Sequence, residues 1–185
     1  MTARFSEEAT TLAGLWHVTR NPLGDARGYL ERVFCVDELV SWSHRPIAQV
    51  NRTFTATKGT LRGLHFQHPP SAECKYVTCL KGAVFDVAVD LRKASPTFGQ
   101  WFGVEISAQA HNALLIPEGF AHGFQTLTDD VEMLYLHSAS YASSSEGGVN
   151  ALDPALAVAW PIKVYNRSPR DQDLPFLADI EGIDV

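Results

Sequence analysis

Arg62 and His65 are the residues whose types and spacing first suggest chemistry. They lie in the segment Gly59–His68, which is typical of a short strand. An imidazole can take up a proton near neutral pH, and a guanidinium can bind an anion. Residues three apart point to opposite faces of a regular strand, but a β-bulge at Gly63 could let both reach one cavity. With such a bulge, the segment would supply a base and an anion-binding group.

Lys75 and Tyr135 are two further candidates, each in an apolar strand. Lys75 begins the segment Lys75–Leu80, where a lysine is usually a solvated strand end. It could also be a fixed positive charge facing a developing enolate. Alternation places Met133, Tyr135 and His137 on one strand face, where a tyrosine is normally part of the core. Chemistry at Lys75 or Tyr135 therefore needs support from other observations.

A metal site is the other chemistry that the histidines could provide. His122 ends a Pro-x-Gly-x-x-His sequence, the spacing of the second motif of cupins, whose metal sites use several histidines and a carboxylate. The first cluster would contain His65 and His68, but their spacing sends them to opposite faces of a strand. The expected carboxylate, Glu73, follows two consecutive prolines, where a regular strand does not continue. The sequence therefore predicts no metal site.

Short strands must position these residues. Glycine and proline punctuate the chain at short intervals, and the segments between them are rich in β-branched and aromatic residues, which is typical of an all-β sandwich or barrel. Ala83–Leu91 alternates most clearly, and Lys81-Gly82 before it predicts a hairpin turn. The other predicted strands are Ile47–Ala56, Leu61–Gln67, Trp101–Ile106, Ala113–Ile116, Gly123–Leu127 and Val131–His137.

Helical segments are expected to be few and peripheral. Val36–Trp42 could form two turns and Asp171–Leu177 one turn. The tail after Trp160-Pro161 lacks alternation, so we expect it to wrap the barrel surface. No repeat or low-complexity linker divides the 185 residues, and the sequence predicts a single domain over residues 1–185.

Composition excludes several classes of protein. A net charge of −6 argues against nonspecific nucleic-acid binding, and no apolar run is long enough for a membrane helix. Met1–Glu8 carries both signs of charge with no apolar stretch behind it, so we expect a cytoplasmic protein rather than a secreted one. The three cysteines, Cys35, Cys74 and Cys79, lack metal-site or disulfide spacing and are expected to be small buried side chains.

In their order along the chain, these motifs resemble those of the dTDP-4-dehydrorhamnose 3,5-epimerase family, a branch of the cupins that works without a metal. The resemblance covers about residues 14–177. The matching stretches are Asp25–Gly28, Gln49–Asn51, Gly59–His65, Lys75–Thr78, Val84–Arg92, Ser95–Gly99, Ile116–Phe124, Tyr135, Asp153–Pro154, Trp160–Pro161 and Arg170–Asp171.

The resemblance implies a role for nine residues. His65 resembles the general base of the family, Asp171 the carboxylate that orients it, Lys75 the residue that stabilises the enolate oxygen, and Tyr135 the acid on the opposite face. The residues that match positions in the nucleotide and diphosphate pocket are Arg27, Gln49, Asn51, Arg62 and His122. The implied reaction inverts C3, C5 or both in a nucleotide-diphosphate 4-keto-6-deoxyhexose, by proton abstraction and return through an enolate.

The resemblance also implies a fold, an assembly and the absence of a cofactor. The expected fold is a cupin-type antiparallel jelly-roll β-barrel with short peripheral helices. Members of the family form homodimers that share an N-terminal strand, and they use neither a metal nor an organic cofactor. The expected partner is therefore a nucleotide-diphosphate sugar, together with a second copy of the chain.

The sequence departs from the family pattern next to Arg27. The family usually has Phe three residues and Glu five residues after this arginine, whereas this chain has Leu30 and Arg32, with Glu31 one place early. These positions lie near the nucleotide end of the site, so a base other than thymine, such as cytosine, stays open. Two other functions also stay open: a metal-dependent cupin oxygenase or isomerase, and a sugar-binding cupin without activity. A ketoisomerase on the same scaffold is a further alternative.

Overall fold

The computed structural model describes residues 3–185 of the chain. Strands account for most of its regular structure. They are β1 (Phe5–Ala9), β2 (Trp16–Arg20), β3 (Leu23–Asp25), β4 (Gly28–Leu30), β5 (Gln49–Thr55), β6 (Leu61–Gln67), β7 (Lys75–Lys81), β8 (Ala83–Asp90), β9 (Trp101–Ser107), β10 (Asn112–Ile116), β11 (Phe120–Thr126), β12 (Val131–His137) and β13 (Glu146–Gly148).

Two antiparallel sheets face each other. The first has six strands in the order β1-β2-β10-β7-β12-β5, and the second has five in the order β13-β6-β11-β8-β9. Strands β3 and β4 form a separate hairpin. Because neighbours in each sheet come from distant parts of the chain, the connections cross between the sheets, as in a jelly roll. The all-β, antiparallel cupin-type fold predicted from the sequence is confirmed.

The main core lies between the two sheets and follows from the alternation within the strands. Val77 and Met133 project from the six-stranded sheet, and Ala88, Ile106 and Phe124 project from the five-stranded sheet. All five are buried. Each fully buried large apolar side chain stabilises the fold by ~2 kcal/mol relative to an exposed one. This packing holds the two sheets at a fixed separation and so fixes the width of the space between them.

The outer faces of both sheets are also covered, by irregular parts of the chain. The C-terminal tail packs Leu156 and Trp160 against the outward side chains of the five-stranded sheet, as the prediction of a wrapping tail requires. The segment 33–42 packs Leu39 and Trp42 against the outside of the six-stranded sheet. Central strands such as β8 are therefore buried on both faces.

Helices are shorter than the sequence suggested. In place of two turns over Val36–Trp42, the structure has one 3₁₀ turn at Val40–Trp42. The turn expected at Asp171–Leu177 begins earlier, as the α-helix α1 (Pro169–Gln172), and a separate 3₁₀ turn follows at Leu177–Asp179. Within residues 3–185, no helix is long and apolar enough to cross a membrane.

Candidate active site

A cavity of about 580 Å³ opens between the two sheets. It has the size of a small-molecule site and is lined by side chains of both sheets and of α1. Eight of the nine residues singled out in the sequence line it: His65, Lys75, Tyr135, Asp171, Gln49, Asn51, Arg62 and His122. The motifs that are scattered along the chain therefore meet in one place.

His65 and Asp171 form a hydrogen-bonded pair at one side of the cavity. His65 Nε2 lies 2.8 Å from Asp171 Oδ1, and the backbone N–H of Gly63 donates to Asp171 Oδ2 at 3.2 Å. The His65 side chain is 33% exposed and that of Asp171 only 5%, so the carboxylate lies behind the imidazole. The Ser168 hydroxyl caps α1 by accepting from the N–H of Asp171, which fixes the carboxylate in place.

The charge state of this pair suits proton abstraction. Burial raises the pKa of Asp171, but the hydrogen bond and charge of His65 and the N–H of Gly63 outweigh it, so that this pKa is lowered overall. A carboxylate facing Nε2 means that Nε2 carries the hydrogen and Nδ1 keeps a free lone pair. The contact expected between Asp171 and His65 is present, and the pair can act as an oriented base.

The backbone at Gly63 explains how Arg62 and His65 share the cavity. His65 lies opposite His122 on β11, whereas Arg62 lies opposite Phe124. Between these two pairs, β6 advances by three residues and β11 by two. This irregularity is a β-bulge, at the glycine where the sequence allowed one. Gly63 has a φ of +116°, and a Cβ there would lie 2.7 Å from the Cα of Gly123. Only glycine allows this conformation and this approach of the two strands.

Lys75 is buried in the cavity wall and is not a solvated strand end. Its side chain is 10% exposed, and Nζ lies 3.3 Å from Glu73 Oε1 and 3.3 Å from the carbonyl oxygen of His65. The contact with His65 brings the ammonium close to the base across the gap between the two sheets. Lys75 can therefore place a positive charge beside an atom that becomes negative when His65 removes a proton.

Tyr135 lies on β12, in the wall formed by the six-stranded sheet. Its ring centroid is 6.1 Å from that of His122 in an edge-on arrangement and 6.1 Å from that of His137 in a stacked one. Burial raises the pKa of the Tyr135 phenol well above its usual value. The phenol therefore keeps its proton at neutral pH and can donate it to a ligand in the cavity.

His122 belongs to a second histidine–carboxylate pair, which the sequence did not reveal. His122 Nε2 lies 2.6 Å from Asp86 Oδ1, and the two side chains are 6% and 0% exposed. Burial raises the pKa of Asp86, and Oδ2 of this carboxyl has no hydrogen-bond partner. Alternation places Asp86 between Val84 and Ala88, which pack in the main core. The one signal in the sequence was an acidic residue within an apolar strand, but alternation does not show which strand face points into the barrel.

The cavity mouth carries charged residues that the sequence analysis also missed. Arg167 and Arg170 join Arg62 among the lining residues. Glu146 forms an ion pair with Arg170 and accepts a hydrogen bond from the Tyr141 hydroxyl at 2.7 Å. Arginines at a cavity mouth are suited to bind a diphosphate, because the guanidinium can donate two parallel hydrogen bonds to a phosphate.

Arg27 is the one predicted site residue that does not reach the cavity of this chain. It lies at the tip of the β3–β4 hairpin, and its side chain is 89% exposed. Its guanidinium donates to Asp25 Oδ2 at 2.6 Å. The placement of Arg27 in the nucleotide pocket, which the resemblance implied, therefore stays a prediction, because the hairpin that carries Arg27 stands away from the cavity of its own chain.

The histidines and carboxylates of the cavity form separate pairs rather than one cluster. Over residues 3–185, no three His, Cys, Asp or Glu side chains are arranged to hold a metal ion. His68, expected as a ligand if a metal were present, packs edge-on against Phe66. Glu73 contacts Lys75 and His137.

Comparisons with known proteins agree with this geometry. The family model described as dTDP-4-dehydrorhamnose 3,5-epimerase matches residues 9–179. A dTDP-4-dehydrorhamnose 3-epimerase of Streptomyces niveus is 41% identical over 91% of this chain and 82% of its own. A dTDP-4-dehydrorhamnose 3,5-epimerase of Salmonella typhimurium is 43% identical over 83% of this chain and 85% of its own.

A solved structure is similar over nearly the whole length. The dTDP-6-deoxy-D-glucose-3,5-epimerase of Legionella pneumophila, in complex with dTDP-4-keto-L-rhamnose, superposes with a TM-score of 0.91 and 35% identity, covering 98% of each chain. The chain is a nucleotide-sugar epimerase that belongs to the dTDP-4-dehydrorhamnose 3,5-epimerase family.

Proposed function

We propose that this cavity epimerises a dTDP-linked 4-keto-6-deoxyhexose at C3, C5 or both, with His65, Lys75, Tyr135 and Asp171 as the reacting and orienting groups. The observation that carries the proposal is that an oriented imidazole, a buried ammonium and a protonated phenol line one cavity. Relatives with this fold are named for dTDP sugars, which favours thymine as the base.

The proton transfers involve these four groups and solvent. His65 Nδ1 takes the hydrogen from a carbon next to the C4 ketone, and the electrons of the broken C–H bond form an enolate whose oxygen becomes negative. Lys75 stabilises that oxygen, and Asp171 stabilises the imidazolium. Tyr135 then gives its proton to the opposite face of the same carbon. Solvent removes the proton from His65 and restores that of Tyr135, so the net result is inversion.

The diphosphate end is assigned to the cavity mouth. Arg62, and the neighbouring Arg167 and Arg170, supply the positive charge, while Gln49 and Asn51 on β5 offer amide groups to the nucleotide. His122 completes this binding set from the opposite sheet. A ligand of this length would extend from the mouth inward, with its sugar next to His65.

A homodimer is the assembly that we propose. The β3–β4 hairpin exposes Leu23, Tyr29 and Leu30 beside Arg27, and exposed apolar residues grouped in this way are typical of a protein interface. In a dimer, the hairpin of one subunit would carry Arg27 to the cavity mouth of the other. Light scattering tests the dimer, and a monomer at all concentrations would contradict it.

Mixing two inactive variants tests whether Arg27 acts between subunits. We expect His65→Ala and Arg27→Ala to be impaired alone and to regain activity when mixed. In the mixed dimer, one site combines an intact His65 with the partner's Arg27. No recovery on mixing would place Arg27 in its own chain's site or outside any site.

The unpaired thiols of Cys35, Cys74 and Cys79 suit the reducing cytoplasm, which is where we propose that the protein acts.

The central experiment follows solvent deuterium into the sugar. The protein is incubated with dTDP-4-keto-6-deoxyglucose, or with its CDP counterpart, in deuterated water, and the products are read by NMR. Epimerisation predicts deuterium at C3, C5 or both, with inversion at each labelled carbon. Deuterium at C3 alone identifies a monoepimerase. A sugar that binds without exchange, or whose carbonyl moves, would overturn the proposed reaction.

A further inference from the structure

A third histidine–carboxylate pair lies in the cavity wall, next to Lys75. His137 ends β12, and its cross-strand partner on β7 is Lys75. His137 Nδ1 lies 2.8 Å from Glu73 Oε2, while the other oxygen of Glu73 lies 3.3 Å from Lys75 Nζ. One carboxylate thus holds the ammonium and the imidazole side by side. Neither His137 nor Glu73 has a part in the reaction as derived above.

The hydrogen bonds fix which nitrogen of His137 faces the cavity as an acceptor. Burial raises the pKa of Glu73, but the hydrogen bond of His137 and the charge of Lys75 outweigh burial. The pKa is lowered overall, so that Glu73 is a carboxylate. Nδ1 therefore carries the hydrogen and donates it to Glu73. Nε2 is left with a lone pair, and Asn51 Nδ2 lies 3.4 Å away, which is long for a hydrogen bond.

The position of Lys75 determines which group of the substrate would lie next to this lone pair. Under the proposed function, Lys75 binds the C4 oxygen, and side chains directly opposite each other on paired strands lie about 5 Å apart. The group that reaches His137 is therefore a substituent on a carbon next to C4. In a 4-keto-6-deoxyhexose, C5 carries a methyl group and the ring oxygen, whereas C3 carries a hydroxyl. Only the hydroxyl can donate to Nε2.

We propose that His137 is a specificity-determining residue, oriented by Glu73, that accepts a hydrogen bond from the C3 hydroxyl of the sugar. The inference rests on the proposed placement of Lys75 at the C4 oxygen. Its consequence is selectivity against 3-deoxy sugars. Such a ligand leaves Nε2 with only the long contact to Asn51, in a wall where the His137 side chain is only 11% exposed.

Binding without turnover tests this contact. The probes are dTDP-6-deoxyglucose and its 3-deoxy counterpart, titrated calorimetrically into the full-length protein. We expect the 3-hydroxy ligand to bind about tenfold more tightly, as a single hydrogen bond to a buried neutral group allows. Equal affinity for the two ligands, or binding of neither, overturns the proposal.

Two substitutions at position 137 provide matched controls. His137→Asn keeps an N–H donor near Glu73 but loses the acceptor in the cavity, so the tenfold selectivity should vanish while the 3-deoxy ligand binds as before. His137→Gln has an amide oxygen with the reach of Nε2 and should retain part of the selectivity. Selectivity that survives His137→Asn, or equal weakening of both ligands, counts against the contact.

The ratio of the affinities for the 3-hydroxy and 3-deoxy ligands also tests Glu73 as a positioning residue. Glu73→Gln keeps an acceptor for His137 Nδ1 and should preserve the selectivity, whereas Glu73→Met removes the acceptor and should abolish it. Loss in both variants, or in neither, contradicts the orienting role. The proposed function has a separate readout: if the unaltered protein discriminates between the ligands but gives no deuterium exchange with the 4-keto sugar, the epimerisation fails and the contact stands.

Discussion

Two of the histidine–carboxylate pairs in the barrel are of nearly the same length but lie in very different surroundings. His65 and Asp171 are 2.8 Å apart with the imidazole one-third exposed, whereas His122 and Asp86 are 2.6 Å apart and almost fully buried. The pKa of Asp171 is lowered, and that of Asp86 is raised by burial. A short contact alone therefore does not make a base. The greater exposure of its imidazole and the lowered pKa of its carboxyl group distinguish the first pair from the second.

The largest effect should separate the two histidines. We expect His65→Ala to lower the rate of deuterium uptake at every exchanging carbon by about 10³-fold, because this variant lacks the proposed base. His122→Ala should act mainly through binding and raise KM by about tenfold. Initial rates of exchange, measured by NMR over a range of substrate concentrations, give both quantities. Equal losses of kcat in the two variants would show that both pairs, or neither, act as the base.

Tyr135 stands next to the second pair, and its removal should affect return of the proton but not its abstraction. We expect Tyr135→Phe to keep part of the deuterium exchange while inversion falls by about 10²-fold, since the donor on the opposite face is missing. Comparing label and product configuration in one sample separates the two steps. Tyr165→Phe, at an exposed position, is the control. A folded Tyr135→Phe protein that neither exchanges nor inverts would disprove the separate roles.

The carboxylates allow the comparison to be made without removing a histidine. We expect Asp171→Asn to keep the fold and substrate binding and to lower kcat by about 10²-fold, because an amide does not stabilise the imidazolium and can favour the wrong tautomer. Asp86→Asn should change kcat by only severalfold. The exposed neighbour Asp173→Asn controls for local effects on α1. If Asp86→Asn proves the more damaging, the roles of the two pairs must be exchanged.

The contact between His65 and Asp171 shows how far the sequence could lead. The all-β class followed from alternation and turn residues. The cupin-type barrel and the pairing of His65 with Asp171 followed from the resemblance to the family, which covers about residues 14–177. A bulge at Gly63 was a possibility that the sequence indicated, because residues three apart face opposite ways on a regular strand. The structure supplied its geometry, with Gly63 packed against Gly123.

Asp86, His137 and Arg27 show where the sequence could not lead. Asp86 lies on the interior face of a strand whose other face is also buried, and alternation alone does not say which face is which. His137 was placed on the face of Tyr135, but its partner Glu73 comes from a loop that no periodicity positions. Arg27 depends on where a hairpin stands relative to the barrel, which local pattern does not determine.

The smallest expected effect is on the free energy of unfolding. It is tested by comparing Asp86 with Asp90, four residues further along β8. Burial raises the pKa of Asp90, but hydrogen bonds from Arg92, Ser95 and Thr97 outweigh it and lower that pKa to about 2. A depressed carboxyl pKa stabilises the fold above the pKa of the unfolded chain, and this contribution is lost as the pH falls through the folded value. For Asp90 it amounts to about 2 kcal/mol at neutral pH and disappears between about pH 4 and pH 2.

Asp86 should show the opposite sign, because a raised pKa makes the ionised form a cost that develops as the pH rises above the pKa of the unfolded chain. Urea unfolding from pH 2 to 7 measures both. We expect Asp90→Asn to lower the free energy of unfolding at pH 7, with a difference from the unaltered protein that shrinks toward pH 2. Asp86→Asn keeps an acceptor for His122 and should raise that free energy at pH 7, with no gain near pH 3. Parallel pH profiles for the two variants would mean that their surroundings do not set the two carboxyl pKa values apart.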